Sequence, residues 1–286
     1  MRVYISVDME GISGVTRWQD VITTGQDYQR ARSWMTGDVN AAIAGARLAG
    51  GREFVVEENH GVEMLCNVLL DEIDPDCDVV RGIPRGGTTT AAALDDSFDA
   101  MFLVGHHAKA GDRVGIGAHT ISYERYSSVR LNGRPVSEGE IFALMAAQQG
   151  VPTALITGDD VITAEMAKIV PGIEAVCVKQ AMSRTGGLII PPRRAQRLIR
   201  DGARRAIERV TKGEVAVIDP SPPFEVEVEL REPLRADIRS SIEDHHPEFG
   251  VTGDRTLVFS TDEMAIAYRM AAVSQVLEAQ GRVRSY

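Results

Sequence analysis

Short apolar runs alternate with longer segments of helical periodicity through most of the chain. Residues 3–7, 53–57 and 99–105 are mostly apolar on successive positions, which is typical of strands buried on both faces. Between the first two runs, apolar residues recur at helical spacing over residues 27–48, and two glycines follow as a stop signal. Residues 62–70 are also predicted to be helical. The strand–helix–strand order predicts a βαβ unit and hence a parallel sheet.

A different pattern follows the proline-rich stretch at residues 219–223. Residues 224–230 alternate strictly between apolar and polar side chains, which is typical of a strand exposed on one face. The prolines in 219–223 cannot pair into a sheet, so this stretch is the best candidate for a linker. Together the patterns predict an α/β fold, with a mostly parallel sheet flanked by helices in residues 1–218 and a smaller C-terminal α+β region in residues 219–286.

A hairpin and a helix are predicted near the middle of the chain. Asn132-Gly133 stands between two short β-type runs and favours a two-residue hairpin turn. Ser137 and Glu140 have the spacing of a capping box that opens a helix. Glu138 falls in the first turn of that helix, where the dipole favours a carboxylate. Glu138 therefore has a purely structural explanation as well as a chemical one.

Charge and composition exclude several classes of partner. The chain has 41 acidic and 31 basic residues, a net charge of -10, whereas a surface that follows nucleic-acid phosphates needs the opposite sign. Cys66, Cys77 and Cys177 are odd in number and lack paired spacing, so we expect neither a disulfide framework nor a cysteine zinc site. No apolar run reaches membrane-spanning length and the N-terminus does not resemble a signal peptide, so we expect no membrane partner and a cytoplasmic location.

Candidate metal ligands follow the predicted strands. Asp8 and Glu10 close the first strand, and four of the six histidines lie at or just beyond strand ends in the same half of the chain. These histidines are His60, His106, His107 and His119. The carboxyl ends of parallel strands lie side by side, so these groups and Glu138 can converge although they are far apart in sequence. Imidazole with carboxylate suits zinc, manganese or cobalt, whereas calcium takes oxygen ligands. The donors exceed what one catalytic zinc takes from protein and suit a two-metal site.

Several motifs surround these candidate ligands. The opening motif, Ser-Val-Asp-Met-Glu-Gly-Ile-Ser-Gly at residues 6–14, is specific in this combination. The others are Asn59-His60, Gly105-His106-His107-Ala108, Gly117-Ala118-His119-Thr120, residues 132–138, Gly158-Asp159-Asp160, and Val178-Lys179-Gln180 with Ser183-Arg184. Together they resemble the D-aminopeptidase family of the bacterial dipeptide-transport operon. The resemblance covers most of the chain and is densest before Gly187.

The resemblance implies a dinuclear zinc site inside a ring-shaped homo-oligomer, a decamer, with a short peptide as substrate. Two Zn2+ ions per subunit are implied, with Mn2+ or Co2+ as alternatives. The residues assigned to the metals are Asp8 as the bridging ligand, Glu10 and His60 for one ion, and His107 and Glu138 for the other.

The same resemblance assigns the catalytic role to His119. It also favours His107 over His106 as the ligand, because the family has a Gly-aromatic-His-Ala run where this chain has Gly105-His106-His107-Ala108. From the residues alone, either neighbouring histidine remains a candidate.

The predicted function is therefore the metal-dependent release of N-terminal amino acids, including D-amino acids, from short peptides. Two alternatives remain open. One is another metallo-hydrolase such as a phosphatase with Asp8 as nucleophile, although such enzymes want an aspartate where this chain has Glu10. The other is a metal- or peptide-binding protein without turnover.

An aminopeptidase also needs groups that hold the two ends of its substrate. The candidate acids for the substrate ammonium are Glu57, Glu58 and Asp159. The candidate donors for a substrate carboxylate are Lys179, Ser183 and Arg184, for which contacts with solvent near a turn are the simpler explanation.

Overall fold

The computed structural model describes residues 1–61, 65–82 and 90–272. In these ranges the strands are β1 Arg2–Val7, β2 Glu53–Glu58, β3 Asp78–Val80, β4 Ala100–Val104, β5 Tyr126–Leu131, β6 Arg134–Pro135, β7 Thr153–Asp159, β8 Glu174–Ser183, β9 Gly186–Ile189, β10 Phe224–Leu230, β11 Gly250–Thr252 and β12 Thr256–Thr261. The helices are α1 Tyr28–Leu48, α2 Glu138–Gln148, α3 Asp160–Ile169, α4 Pro192–Thr211 and α5 Ala236–His245. Residues 264–272 are also helical.

Seven strands form one sheet in the order β3-β2-β1-β4-β7-β8-β9. β1 lies between β2 and β4 and is parallel to both, and the parallel pairing continues through β7 to β8. β9 runs antiparallel to β8 at the edge. Val7 pairs with Glu58 on one side and with Val104 on the other, so the central strands end at one level. The predicted fold class, a mostly parallel sheet flanked by helices, is confirmed.

Helices cover both faces of this sheet. Val3, Ile5 and Val7 belong to the hydrophobic cluster shared with α1 and α4. Tyr4, which points to the other face, belongs to the cluster shared with α2 and α3. β1 is therefore buried on both sides, which explains its uninterrupted apolar run. None of the described helices is both long and apolar enough to cross a membrane.

A second, antiparallel sheet has the order β11-β12-β10-β5-β6. The predicted hairpin is present between β5 and β6, and Asn132 and Gly133 adopt the positive φ angles, 50° and 79°, that a type I′ turn requires. β10 pairs with β5 as well as with β12, so strands from both sides of the stretch 219–223 share this sheet. The domain boundary at 218/219 stays a prediction, and residues 273–286 of the predicted C-terminal region lie outside the described residues.

The helix predicted over residues 62–70 is absent from residues 65–70, while residues 62–64 lie outside the described ranges. The backbone N–H groups of Asn67 and Val68 donate to the carboxylate of the buried Glu58. A side chain from β2 thus satisfies groups that a helix would have paired along its own backbone.

Candidate metal centre

Two glycines bring the ends of β1 and β4 into close contact. The N–H of Gly11 donates to the carbonyl of Gly105 over 2.7 Å, and a Cβ on Gly11 would lie 1.9 Å from the carbonyl oxygen of His106. Gly105 has a φ of 73°, and a Cβ there would lie 2.3 Å from the carbonyl oxygen of Asp8. Side chains at either position would push the strand ends apart. The glycines therefore let the Asp-x-Glu turn lie directly against the two histidines that follow β4.

One candidate ligand set, the Glu10 cluster, consists of Asp8, Glu10 and His60, whose ligand atoms all lie within 4.8 Å of one another. His60 Nδ1 lies 3.0 Å from Glu10 Oε2 and 3.6 Å from Asp8 Oδ1. The other ring nitrogen, Nε2, lies 2.7 Å from the carbonyl oxygen of Val21, which can only accept. Nε2 therefore carries a proton, and Nδ1 faces two carboxylates. These carboxylates favour a positive charge at Nδ1, supplied either by a proton or by a metal ion.

The second set, the Glu138 cluster, consists of His107, His119 and Glu138. His107 Nε2 lies 3.5 Å from Glu138 Oε1 and also 3.1 Å from Oδ2 of Asp8. Its Nδ1 donates to the carbonyl of Ala108, over 3.0 Å. Nε2 is buried and has no hydrogen-bond partner. A buried nitrogen that faces two carboxylates without a hydrogen bond has the surroundings of a metal ligand, and imidazole with carboxylate is a donor set that zinc accepts.

Asp8 connects the two clusters. Its Oδ1 faces His60 and its Oδ2 faces His107, while the N–H of Met9 also donates to Oδ1 over 2.8 Å. Each carboxylate oxygen thus points to a different candidate site, which is the arrangement expected of a bridging ligand.

His119 lies beside His107, with the two rings stacked at 4.0 Å between centroids and 10° between planes. Its Nε2 is 3.8 Å from Glu138 Oε1, and its Nδ1 donates to the carbonyl of Gly117 over 2.8 Å. Nε2 therefore holds a lone pair that faces the site.

His106 takes a different direction from its neighbour. Its Nε2 lies 3.1 Å from the hydroxyl of Ser6, and its ring meets Phe142 edge-on at 5.4 Å. It belongs to neither ligand cluster in the described part of the chain. The geometry therefore favours His107 as the ligand.

The titration of the buried groups reflects a strong demand for positive charge. Burial alone would lower the pKa of His60, but the charge of Glu10 and contact with Asp8 outweigh it and raise the pKa to about 10. Burial would also lower the pKa of His107, yet its contacts with Asp8 and Glu138 raise that pKa well above the usual value. Burial would raise the pKa of Asp8, and the two histidines hold it well below its ordinary value instead. A metal ion and a proton compete for these nitrogens, so the same surroundings suit a bound cation.

His119 shifts in the opposite direction. Burial, together with the neighbouring charge of His107, lowers the pKa of His119. His119 is consequently the neutral imidazole of the site near pH 7, with the proton on Nδ1.

A cleft of about 480 Å³ opens onto both clusters. Its wall is formed partly by Trp18 and Tyr123, whose rings stack at 4.6 Å, and both rings lie edge-on to His119 at 6.3 and 6.2 Å. Glu124 and Arg125 line the same cleft. A cleft with polar groups at the metal clusters and an aromatic wall suits a short peptide.

The acids predicted to hold the substrate ammonium have other partners. Glu57 accepts from the Tyr4 hydroxyl and from the N–H of Ala92, over 2.9 Å to the latter. Asp159 caps α3 and accepts from the N–H of Ile116 over 2.8 Å. Glu58 accepts from the backbone N–H groups of Asn67 and Val68. None of the three lines the cleft, so their geometry does not favour contact with a substrate bound there.

Lys179 and Arg184 also face inward rather than toward a substrate. The fully buried ammonium of Lys179 donates to the carbonyls of Glu10, Ile12 and Val15 at 2.5, 3.1 and 2.7 Å. Arg184 donates to the carbonyl of Ala118. No sequence pattern predicted either contact, because each carbonyl lies more than 60 positions from its donor in the sequence.

The chain is similar to known aminopeptidases over its whole length. The family model of peptidase M55, described as D-aminopeptidase, matches residues 1–273. A D-aminopeptidase of Bacillus subtilis (strain 168) is 31% identical over 215 residues, which cover 74% of this chain and 76% of that protein. The solved structure of the Zn-dependent D-aminopeptidase DppA from Bacillus subtilis, described as a self-compartmentalizing protease, superimposes with a TM-score of 0.88 at 26% identity and covers all of both chains. The family predicted from the motifs is thereby confirmed: this chain belongs to the D-aminopeptidase family, peptidase M55.

Proposed function

We propose that this protein is an aminopeptidase with two zinc ions per subunit, which releases N-terminal amino acids from short peptides. Glu10 and His60 would hold one ion and His107 and Glu138 the other, with Asp8 as the bridging ligand. The observation that carries this proposal is the orientation of Asp8, whose two carboxylate oxygens face His60 and His107 separately. Mn2+ and Co2+ accept the same donors and are alternatives.

The metals, when bound, would supply an activated water and a polarised peptide carbonyl near neutral pH. The protein's own proton carrier is His119. Its lowered pKa keeps it neutral, and the hydrogen bond from Nδ1 to the Gly117 carbonyl leaves Nε2 free to take a proton. The lone pair on Nε2 faces the Glu138 carboxylate at the edge of the cleft. We therefore assign proton transfer during peptide hydrolysis to His119.

The cleft also suggests how a peptide is held. Trp18 and Tyr123 offer apolar surface for a substrate side chain, while Glu124 is an acid at the cleft that belongs to neither metal cluster. We assign the substrate ammonium to Glu124, since a carboxylate favours a nearby cation. Neither assignment fixes the stereochemistry of the first residue, and the preference for D-amino acids is proposed from the family.

The assembly and compartment are proposed on similar grounds. DppA is described as self-compartmentalizing, and we propose that this chain likewise forms a closed homo-oligomeric ring, a decamer. We propose a cytoplasmic location, which agrees with three cysteines that are all free thiols.

The test begins with elemental analysis of the purified protein, for which we expect two zinc ions per chain. D-Ala-D-Ala, D-Ala-Gly and the corresponding L-peptides are then assayed with and without a chelator. We expect hydrolysis that the chelator abolishes and added zinc restores. The Asp8→Asn variant should lose both ions, because it removes one charge from both sites.

Three results would contradict the proposal. They are one zinc ion per chain with full activity, peptide hydrolysis that survives complete chelation, and hydrolysis of a generic phosphate ester in place of peptides. Zinc binding without hydrolysis of any of these peptides would favour a binding protein instead.

A further inference from the structure

Arg184 makes two hydrogen bonds to residues 117 and 118, which immediately precede His119. Arg184 lies in the turn between β8 and β9. Its carbonyl accepts from the N–H of Gly117 over 3.0 Å, and its guanidinium Nη2 donates to the carbonyl of Ala118 over 2.6 Å. Arg184 thus bonds to two successive residues immediately before His119.

These contacts flank the bond that orients the His119 ring. The carbonyl of Gly117, which accepts from His119 Nδ1, lies between the Gly117 N–H and the Ala118 carbonyl that Arg184 holds. Gly117 has a φ of 67°, and a Cβ there would lie 3.2 Å from Cβ of Glu10. The backbone at Gly117 therefore packs closely against the side chain of Glu10, and Arg184 binds the same stretch of backbone by two hydrogen bonds.

The same guanidinium also supports the aromatic wall around His119. Its central carbon lies 5.7 Å from the ring centroid of Tyr123, within the range of a cation–π contact. Tyr123 stacks on Trp18, and both rings pack edge-on against His119. One side chain thus touches both the backbone before His119 and an aromatic ring that packs against it.

We propose that Arg184 is a positioning residue for His119: it fixes the tautomer and aim of the imidazole without meeting the substrate. The proposal rests on the proposed function only in giving His119 the role of proton carrier. Arg184 does not line the cleft. Because reacting groups must be held within a fraction of an ångström, loss of this support should slow the chemical step more than it weakens substrate binding.

The first experiment compares Arg184→Met with Arg184→Lys, using Met182→Ala on the same hairpin as the matched control. Met182 is 78% exposed. We expect Arg184→Met to lower kcat by about tenfold to a hundredfold, with KM changed less than about twofold and the zinc content unchanged. Arg184→Lys should recover part of kcat, since an ammonium can still donate to the Ala118 carbonyl. Met182→Ala should match the wild type.

A chemical rescue makes the test specific to the guanidinium. Added methylguanidinium should raise kcat of Arg184→Ala in a saturable manner and leave a His119→Asn variant unchanged. A protein that had merely lost folded material would show no such rescue.

A second readout does not depend on activity. The ring protons of His119 lie near three aromatic rings, so their NMR resonance, assigned through His119→Asn, should be displaced by ring currents. In Arg184→Met that resonance should move toward the value of a free histidine, while the His60 resonance and those of Met182→Ala stay in place. If the wild-type protein hydrolyses no peptide, the proposed function fails and this measurement still decides the role of Arg184.

Two outcomes would overturn the inference. One is an Arg184→Met protein with wild-type kcat and an unmoved His119 resonance. The other is loss of zinc in proportion to kcat, which would mean that Arg184 supports the ligands and not His119. Should Arg184→Met fail to fold, Arg184→Ala decides by the same readouts, and a wild-type kcat with an unmoved resonance in that variant would then overturn the inference.

Discussion

His107 and His119 stack face to face with 4.0 Å between ring centroids, and both direct Nε2 toward the same carboxylate oxygen of Glu138. Only one of the pair, His107, also reaches Asp8, at 3.1 Å. Under the proposed function, contact with Asp8 therefore distinguishes His107, the proposed ligand, from His119, the proposed proton carrier.

His107→Gln should lose zinc, whereas His106→Gln should keep it. The first change removes the nitrogen that faces Asp8 and Glu138, while the second affects a ring whose Nε2 contacts Ser6. Elemental analysis gives the zinc content of each variant, and thermal unfolding checks that both are folded. Loss of zinc from His106→Gln alone would reverse the assignment.

His119→Asn should keep two zinc ions per chain and lower kcat by about a hundredfold or more, as expected for removal of a proton carrier. The measurement pairs elemental analysis with steady-state kinetics on D-Ala-D-Ala. A fall in zinc content parallel to the fall in kcat would make His119 a ligand.

The metal-free protein should lose stability as the pH rises above about 6.5. The folded-state pKa of His60 is about 10, raised above the ordinary 6.5, so its contribution is fully present below pH 6.5 and is lost as the pH rises toward 10. Urea unfolding of chelator-treated protein at several pH values measures this slope, and His60→Asn should give a flatter one. Comparison of the two proteins cancels the contribution of other groups such as Lys179, whose pKa burial lowers to about 8.

Zinc affinity should change in the opposite sense across the same range. Zinc needs the neutral imidazole, so binding releases protons and strengthens with pH. Equal slopes in the wild type and His60→Asn would contradict both statements.

Lys179→Met should destabilise the protein by about 3 kcal/mol and weaken zinc binding at the Glu10 cluster. The substitution leaves three buried carbonyls, including that of Glu10, without their donor. Lys168→Met on the exposed side of α3 is the matched control. Urea unfolding and zinc analysis provide the readouts, and a change below about 0.5 kcal/mol would show that the buried ammonium is dispensable.

Glu124→Gln should raise KM for unblocked dipeptides by about two- to fivefold and leave kcat nearly unchanged, since an exposed ion pair contributes little. Glu225→Gln, on β10 and outside the cleft, should leave both constants as they are. Unchanged KM in Glu124→Gln would remove this residue as the partner of the substrate ammonium.

Local sequence was enough where the physical cause is local. The unbroken apolar run of β1 predicted burial on both faces, and Asn132-Gly133 predicted its hairpin turn. Ser137 does accept from the N–H of Glu140 at the start of α2, although the Glu140 carboxylate pairs with Arg134 instead of closing the capping box. The helix predicted over residues 62–70 is absent from residues 65–70, because a carboxylate from β2 accepts from the backbone N–H groups of residues 67 and 68. That carboxylate, from Glu58, is not adjacent in sequence.

By itself, the sequence determined the parallel sheet, because strand burial and chain direction follow from short-range patterns. Its motifs determined the family, and the residues at the predicted strand ends gave the set of candidate donors. The tertiary structure alone decided that His107 faces Asp8 while its neighbour His106 turns to Ser6. It also decided that Lys179 donates to the carbonyl of Glu10 and that Arg184 donates to the carbonyl of Ala118. The physical reason is that the direction of a side chain beyond a strand end is set by packing between distant segments, here by two glycines that let β1 and β4 meet.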